Sequence, residues 1–199
     1  MQVAIVVAQS YRPIKKQTFK CLDRTRGGDW KLFTKDGMED GEMNTVNSLI
    51  DSIDIEWDYL VRMDDDMWLS PNWLKKMIKI YEKNKDVWLL GGCKYPTHKV
   101  LEVRKQCLIM DICPGNHWLI SKERYEKVGR FYSNFIHGQA EDVRYCRKIK
   151  EMGGKVACLK DLTKVVHCGL VGTNGKGRSD YVTGYCQALA DVVGAKCAK

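Results

Sequence analysis

Apolar positions along the 199 residues follow two periods, one suited to strands and one to helices. Val3 to Ala8 is an unbroken apolar run, the mark of a strand buried on both faces. "YRPIKKQTFKCL" follows at once, with Pro13 at a helix start and Ile14, Thr18, Cys21 and Leu22 on one face. "DWKLFTKDG" predicts a second strand ending at Asp36-Gly37, Val46, Leu49, Ile50 and Ile53 a second helix, and "WDYLVRM" a third strand. Further on, Ser70 and Pro71 predict a helix start with Leu74, Met77, Ile78 and Tyr81 as its apolar stripe, and "DVWLLGG" returns to strand. From Lys94 to Ile120 the alternation is less regular. Strands are expected at "KVLEVRK", "CLIMDIC" and "HWLI", in mixed or antiparallel pairing.

Ser121 predicts the cap of a short helix "KERYEKV" that stops at Gly129, and Glu141 to Met152 a longer one, with Val143, Cys146, Ile149 and Met152 in register and Gly153-Gly154 closing it. "KVACL" and "KVVHCGL" read as late strands. A Gly-rich loop "GLVGTNGKGRSD" then leads to a last helix on which Val182, Tyr185, Leu189 and Val193 line up. Strands alternating with helices predict a single α/β domain around one mixed, mostly parallel sheet.

Composition changes this picture little: 44% apolar and 29% charged residues are ordinary for a globular chain. The formal charge of +8, from 33 Lys+Arg against 25 Asp+Glu, favours an anionic partner such as a nucleotide, a nucleic acid or an acidic lipid surface. The basic residues form no block of five or six, so no nucleic-acid partner is expected. Nine cysteines without a C-x-x-C pair, several inside apolar segments (Cys146, Cys158, Cys186), read as buried free thiols in a reducing compartment. "MQVAIVVAQS" lacks a basic leader and no 18-residue apolar span exists, so a soluble, cytoplasmic chain with at most peripheral membrane contact is expected.

The chemistry centres on "VRMDDDMWLSP", residues 61 to 71. Three adjacent carboxylates raise one another's pKa unless a cation or donors hold the charge. Because side chains alternate along a strand, Asp64 and Asp66 are expected to share one side and Asp65 to point to the other. Such a pair at a strand end suits Mg²⁺ or Mn²⁺ bridged to a nucleotide diphosphate; the Gly and distal Glu of an EF-hand are missing. Gln9-Ser10-Tyr11 and Asp36 fall at two other strand ends, where ligands of α/β sheets bind. Downstream stand an acidic pair at a helix start, in "EDVRYCRKIKEMGGKV", and His167 at a strand end. "GTNGKG" lacks P-loop spacing.

In the order of these motifs, from Val3 to about His167, the chain resembles the family 2 glycosyltransferases of the GT-A fold. The resemblance implies a single GT-A (Rossmann-like) domain over 1–199, with residues 1–93 binding the nucleotide-sugar, 94–169 binding the acceptor and carrying catalysis, and 170–199 forming the loop and last helix. It assigns Gln9, Ser10, Tyr11, Asp36, Asp64 and Asp65 to the donor, with Tyr11 stacked on the base. Ala8-Gln9-Ser10 replaces the family's usual Pro-Thr before that aromatic. Asp66, Asp64 and His167 would hold Mn²⁺ or Mg²⁺, and Asp142, with Glu141 next, would be the catalytic base. His117, Trp118 and His137 would flank the acceptor, and Lys176 and Arg178 would sit on a lid over the phosphates. The implied activity is metal-dependent, inverting sugar transfer from a UDP-, GDP- or dTDP-sugar to a hydroxyl, on a glycan or another acceptor. A metal-dependent nuclease or nucleotidyltransferase, or a non-catalytic sugar-binding module, are the alternatives.

Overall fold

The computed structural model describes residues 1–9, 15–24, 29–36, 42–95, 98–132, 141–161 and 165–167. The first strand, β1 (Val3–Gln9), shows why the fold is layered. Its residues alternate between two cores: Val3, Ile5 and Val7 enter one, and Ala4, Val6 and Ala8 the other. A strand apolar on both sides needs cover on both. Helices α1 (Lys15–Arg24) and α3 (Trp73–Lys83) supply it on the first face; α2 (Glu42–Asp51), α4 (Lys122–Val128) and α5 (Glu141–Glu151) supply it on the second.

The other strands are β2 (Trp30–Asp36), β3 (Tyr59–Met63), β4 (Met67–Leu69), β5 (Val87–Gly91), β6 (Val100–Val103), β7 (Cys107–Met110), β8 (His117–Ser121), β9 (Lys155–Leu159) and β10 (Val165–His167). Eight of them form one sheet in the order β2-β1-β3-β8-β5-β9-β7-β6, while β4 and β10 make a separate antiparallel ribbon. In the large sheet β7 and β8 run against the other six. The sheet is therefore mixed, as the periodicity predicts, but not mostly parallel in its pairing: the two reversed strands sit inside it and make four of its seven neighbouring pairs antiparallel. Its carboxyl edge collects the ends of β1, β2, β3, β5 and β9 and the starts of the reversed strands β7 and β8.

One local expectation changes. α3 begins at Trp73 rather than at Pro71, because Met67–Leu69 pairs with Val165–His167 and carries strand as far as Leu69. Asn72, in the left-handed conformation at φ 61°, then makes the corner, with the Trp73 N–H donating to the Ser70 carbonyl. Elsewhere the punctuation holds. Ser121 Oγ accepts the Arg124 N–H, and Gly129 ends α4 at φ 89°. The six described cysteines, Cys21, Cys93, Cys107, Cys113, Cys146 and Cys158, are free and buried. No described helix is long and apolar enough to cross a membrane. Ile14, the Gly-rich loop and the last helix with Val182, Tyr185, Leu189 and Val193 lie outside the described residues.

Beyond the end of β5 the packing leaves no room for a side chain. A Cβ on Gly92 would lie 2.5 Å from Val165 Cγ1 and 2.9 Å from His117 Nδ1. Gly92→Ala is expected to cost about 1–3 kcal/mol by overpacking. In a chain of this size that lowers the melting temperature by roughly 2–4 °C per kcal/mol, which a thermal melt measures.

Candidate active site

Three adjacent strands bring the first candidates together. Gln9 and Asp36 are Cα partners at the ends of β1 and β2, and Val7 pairs with Met63, which sets Asp64 level with Ala8. Gln9 is partly buried; for Asp36 only the backbone is described. Ser10, Tyr11, His137, Lys176 and Arg178 lie outside the described residues.

The three aspartates do not continue β3. The strand stops at Met63, Asp65 and Asp66 form a turn, and β4 starts at Met67, so strand alternation does not set their directions. Asp64 is partly exposed, whereas Asp65 and Asp66 are buried. α1 shapes the turn through one hydroxyl: Thr18 Oγ1 donates to the Asp65 carbonyl (2.6 Å) and accepts the Met67 N–H (2.9 Å). From the other side, the Asp64 N–H donates to the Asn116 carbonyl at 2.9 Å.

Arg62, only 2% exposed near the end of β3, supplies positive charge to one of the three, Asp64. Its Nη1 lies 2.8 Å from Asp64 Oδ1, its Nη2 is paired with Glu42 of α2, and its guanidinium sits 5.9 Å from the centre of the Trp118 ring. Arg62, Glu42, Thr18 and Asn116 were not among the sequence candidates. Only Arg62 left a signal there, as a charged residue inside the apolar run "YLVRM".

α5 delivers the acidic pair to the same edge. A Cβ on Gly115 would lie 3.6 Å from Glu141 Oε1 and 3.6 Å from the Asp142 Cβ, so the loop that holds Asp64 through Asn116 also passes against this pair. Burial pushes the Glu141 carboxyl above its ordinary pKa; Asp142 and Asp64 add to the push and Arg62 opposes it. Its Oε2 has no hydrogen-bond partner among the described residues. Asp142 is partly exposed and accepts the Val143 N–H at 2.7 Å, which also suits a carboxylate in the first turn of a helix.

The acceptor residues turn out differently. Trp118 is 1% exposed, stacks on Tyr145 at 5.6 Å and packs on Phe131, so it is a core side chain and offers no face to a sugar. His117 is fully buried edge-on to Trp73, at 5.1 Å between ring centres. Burial, with Arg62 nearby, pushes its imidazole down to about 3. The unfolded chain protonates this group near 6.5, so protons favour unfolding below that pH. Stability is expected to fall as pH drops from 6.5 toward about 3, and His117→Asn to flatten that slope, as read by urea midpoints measured across the range.

For a divalent ion the donor set is suitable but sparse. Asp64 and Asp66 stand in one turn, and the Cα of His167 pairs with that of Met67, the residue after Asp66; the His167 side chain is not described. Among the described residues no three His, Cys, Asp or Glu side chains converge on one point.

Residues 54–150, which include both the aspartate turn and the Glu141-Asp142 pair, match the family model "Glycosyl transferase family 2". No curated protein matches the chain. Among solved structures it is similar to the mannosyltransferase PcManGT of Pyrobaculum calidifontis in complex with GDP-Man and Mn2+, with a TM-score of 0.62, 14% identity, and coverage of 81% of this chain and 55% of that one. It is also similar to the catalytic domain of Drosophila beta1,4galactosyltransferase 7 in complex with xylobiose, at TM-score 0.60, 12% identity and coverage of 94% and 79%. The third is S. aureus TarS 1-349, at TM-score 0.58, 10% identity and coverage of 81% and 58%. The chain thus spans little more than half of the first and third of these structures. Residues 54–150 are thus similar to glycosyl transferase family 2, and the chain has the GT-A fold of these structures.

Proposed function

We propose that the chain transfers a sugar, with inversion, from a nucleoside-diphosphate donor to a hydroxyl acceptor, with Mn²⁺ or Mg²⁺ at the aspartate turn. The observation that supports this reading is the single loop whose Asn116 carbonyl holds the Asp64 amide and whose Gly115 backbone lies against Glu141 and Asp142. Donor-binding and proton-accepting carboxylates are thereby neighbours on one edge. The neighbours bound to GDP-Man with Mn2+ and to xylobiose accord with a nucleotide-sugar donor and a glycan acceptor.

In this mechanism Gln9, Asp36, Asp64 and Asp65 orient the donor, together with Ser10 and Tyr11. Asp64, Asp66 and His167 would hold the ion, which when bound would supply positive charge for the diphosphate leaving group. Asp142 accepts the proton of the acceptor hydroxyl; the new bond forms from that oxygen to the anomeric carbon, and the bond to the diphosphate oxygen breaks. Asp142 is chosen over Glu141 because it is partly exposed, where an acceptor can reach it. Lys176 and Arg178 are assigned to cover the phosphates. Since the rings of His117 and Trp118 are buried, the acceptor rests on other groups.

A thermal-shift screen of nucleoside diphosphates and their sugars, with and without Mn²⁺, tests the reading. One donor class is expected to raise the melting temperature more with Mn²⁺ than without it. No stabilisation by any donor would overturn the proposal.

A further inference from the structure

The carboxyl edge carries a second feature that sugar transfer leaves unused. Where β9 ends and β7 begins, α3 leans over the sheet and leaves a groove of about 620 Å³, with Lys76, Lys79, Lys105 and Lys160 around an apolar floor of Ile80 and Leu159. Asp161 is the one acid among its described lining residues. None of the four lysines forms an ion pair among the described residues. The exposed face of α3 adds Lys75 and Lys83, which places Lys75, Lys79 and Lys83 at four-residue spacing, where like charges repel. Glu82, the acid of that helix, is engaged by Lys85 and Tyr59.

Three observations select the kind of partner. No aromatic ring lines the groove among its described residues, so stacked bases have no platform. Arg104, beside Lys105 in the β6–β7 turn, is held by Asp86 and Glu102 and is not free for bidentate phosphate contacts. The edge strand β6, which leads into that turn, carries Leu101 and Val103 at 53% and 64% exposure. Lysine point charges next to exposed aliphatic side chains suit a headgroup layer over an acyl boundary.

We propose that this face docks on a bilayer bearing anionic phospholipid headgroups, with Lys76, Lys79, Lys105 and Lys160 over the headgroups and Leu101 and Val103 at the interface. The attachment is peripheral. The groove opens on the same edge as the aspartate turn, three strands along the sheet from β3, or about 14 Å at the usual spacing. Docking therefore holds the candidate active site beside the membrane surface.

The test is co-sedimentation of the whole chain with vesicles of phosphatidylcholine alone and with vesicles containing phosphatidylglycerol. No donor or turnover is needed, so its outcome is independent of the activity reading. Retention is expected only on the phosphatidylglycerol vesicles and is lost at high salt. Reversing Lys76→Glu, Lys79→Glu and Lys160→Glu together should weaken it at least about a hundredfold, since each lysine is worth roughly fivefold. A control with the same charge change on the opposite face, Lys127→Glu, Arg147→Glu and Lys150→Glu, should retain most of the binding. Absence of retention for the unaltered chain, or equal losses in both triple variants, would overturn the proposal. So would a groove reversal that abolishes binding to duplex or single-stranded DNA and leaves vesicle retention intact, because the partner would then be nucleic acid.

Discussion

Asp142→Asn is expected to lower turnover by roughly two to four orders of magnitude while leaving donor binding nearly unchanged. The amide keeps the size of the side chain and can still accept the Val143 N–H through its oxygen, so α5 should hold its first turn. It cannot take up the acceptor's proton. Single-turnover rates beside donor affinity from calorimetry separate the two effects. The companion variant Glu141→Gln discriminates further, because the buried Glu141 carboxyl has the raised pKa that a proton acceptor also requires. If Glu141→Gln abolishes turnover and Asp142→Asn does not, the base is Glu141. Unchanged turnover in both variants would make the pair no more than a charged helix start.

Asp66→Asn is expected to remove the Mn²⁺-dependent part of donor stabilisation. A donor present at about a hundred times its dissociation constant stabilises the folded chain by about 2.7 kcal/mol. That corresponds to roughly 5–10 °C in melting temperature at this chain length. In the variant, adding Mn²⁺ should no longer change the shift. Because Asp66 is buried, the substitution also alters the unliganded chain, so the meaningful quantity is the difference between melts with and without ion and donor. A shift that remains fully Mn²⁺-dependent would move the ion elsewhere.

The legible parts of this molecule were those that local physics sets. The double-sided apolar run of β1, the Ser121 cap and the glycines after α4 and α5 each specify their structure within a few residues. The aspartates were legible as chemistry but not as geometry. Alternation holds only while the chain stays extended, and the turn at Asp65-Asp66 is imposed from a distance by Thr18. β4 escaped notice for a similar reason: three residues show no period, and the strand exists because Val165–His167 lies beside it. His117 and Trp118 suggested a sugar-facing surface by residue type alone. Their strand, β8, is a central one between β3 and β5, covered on both faces, so their rings were committed to packing.

A single threonine hydroxyl joins the first helix to a turn 47 residues later, and it uses both its proton and a lone pair to do so. The shape of the acidic tip therefore does not belong to the segment that carries the acids. Transplanting residues 61–71 into another scaffold would carry over the negative charge without the clasp that bends it, and affinity for an ion should not travel with it.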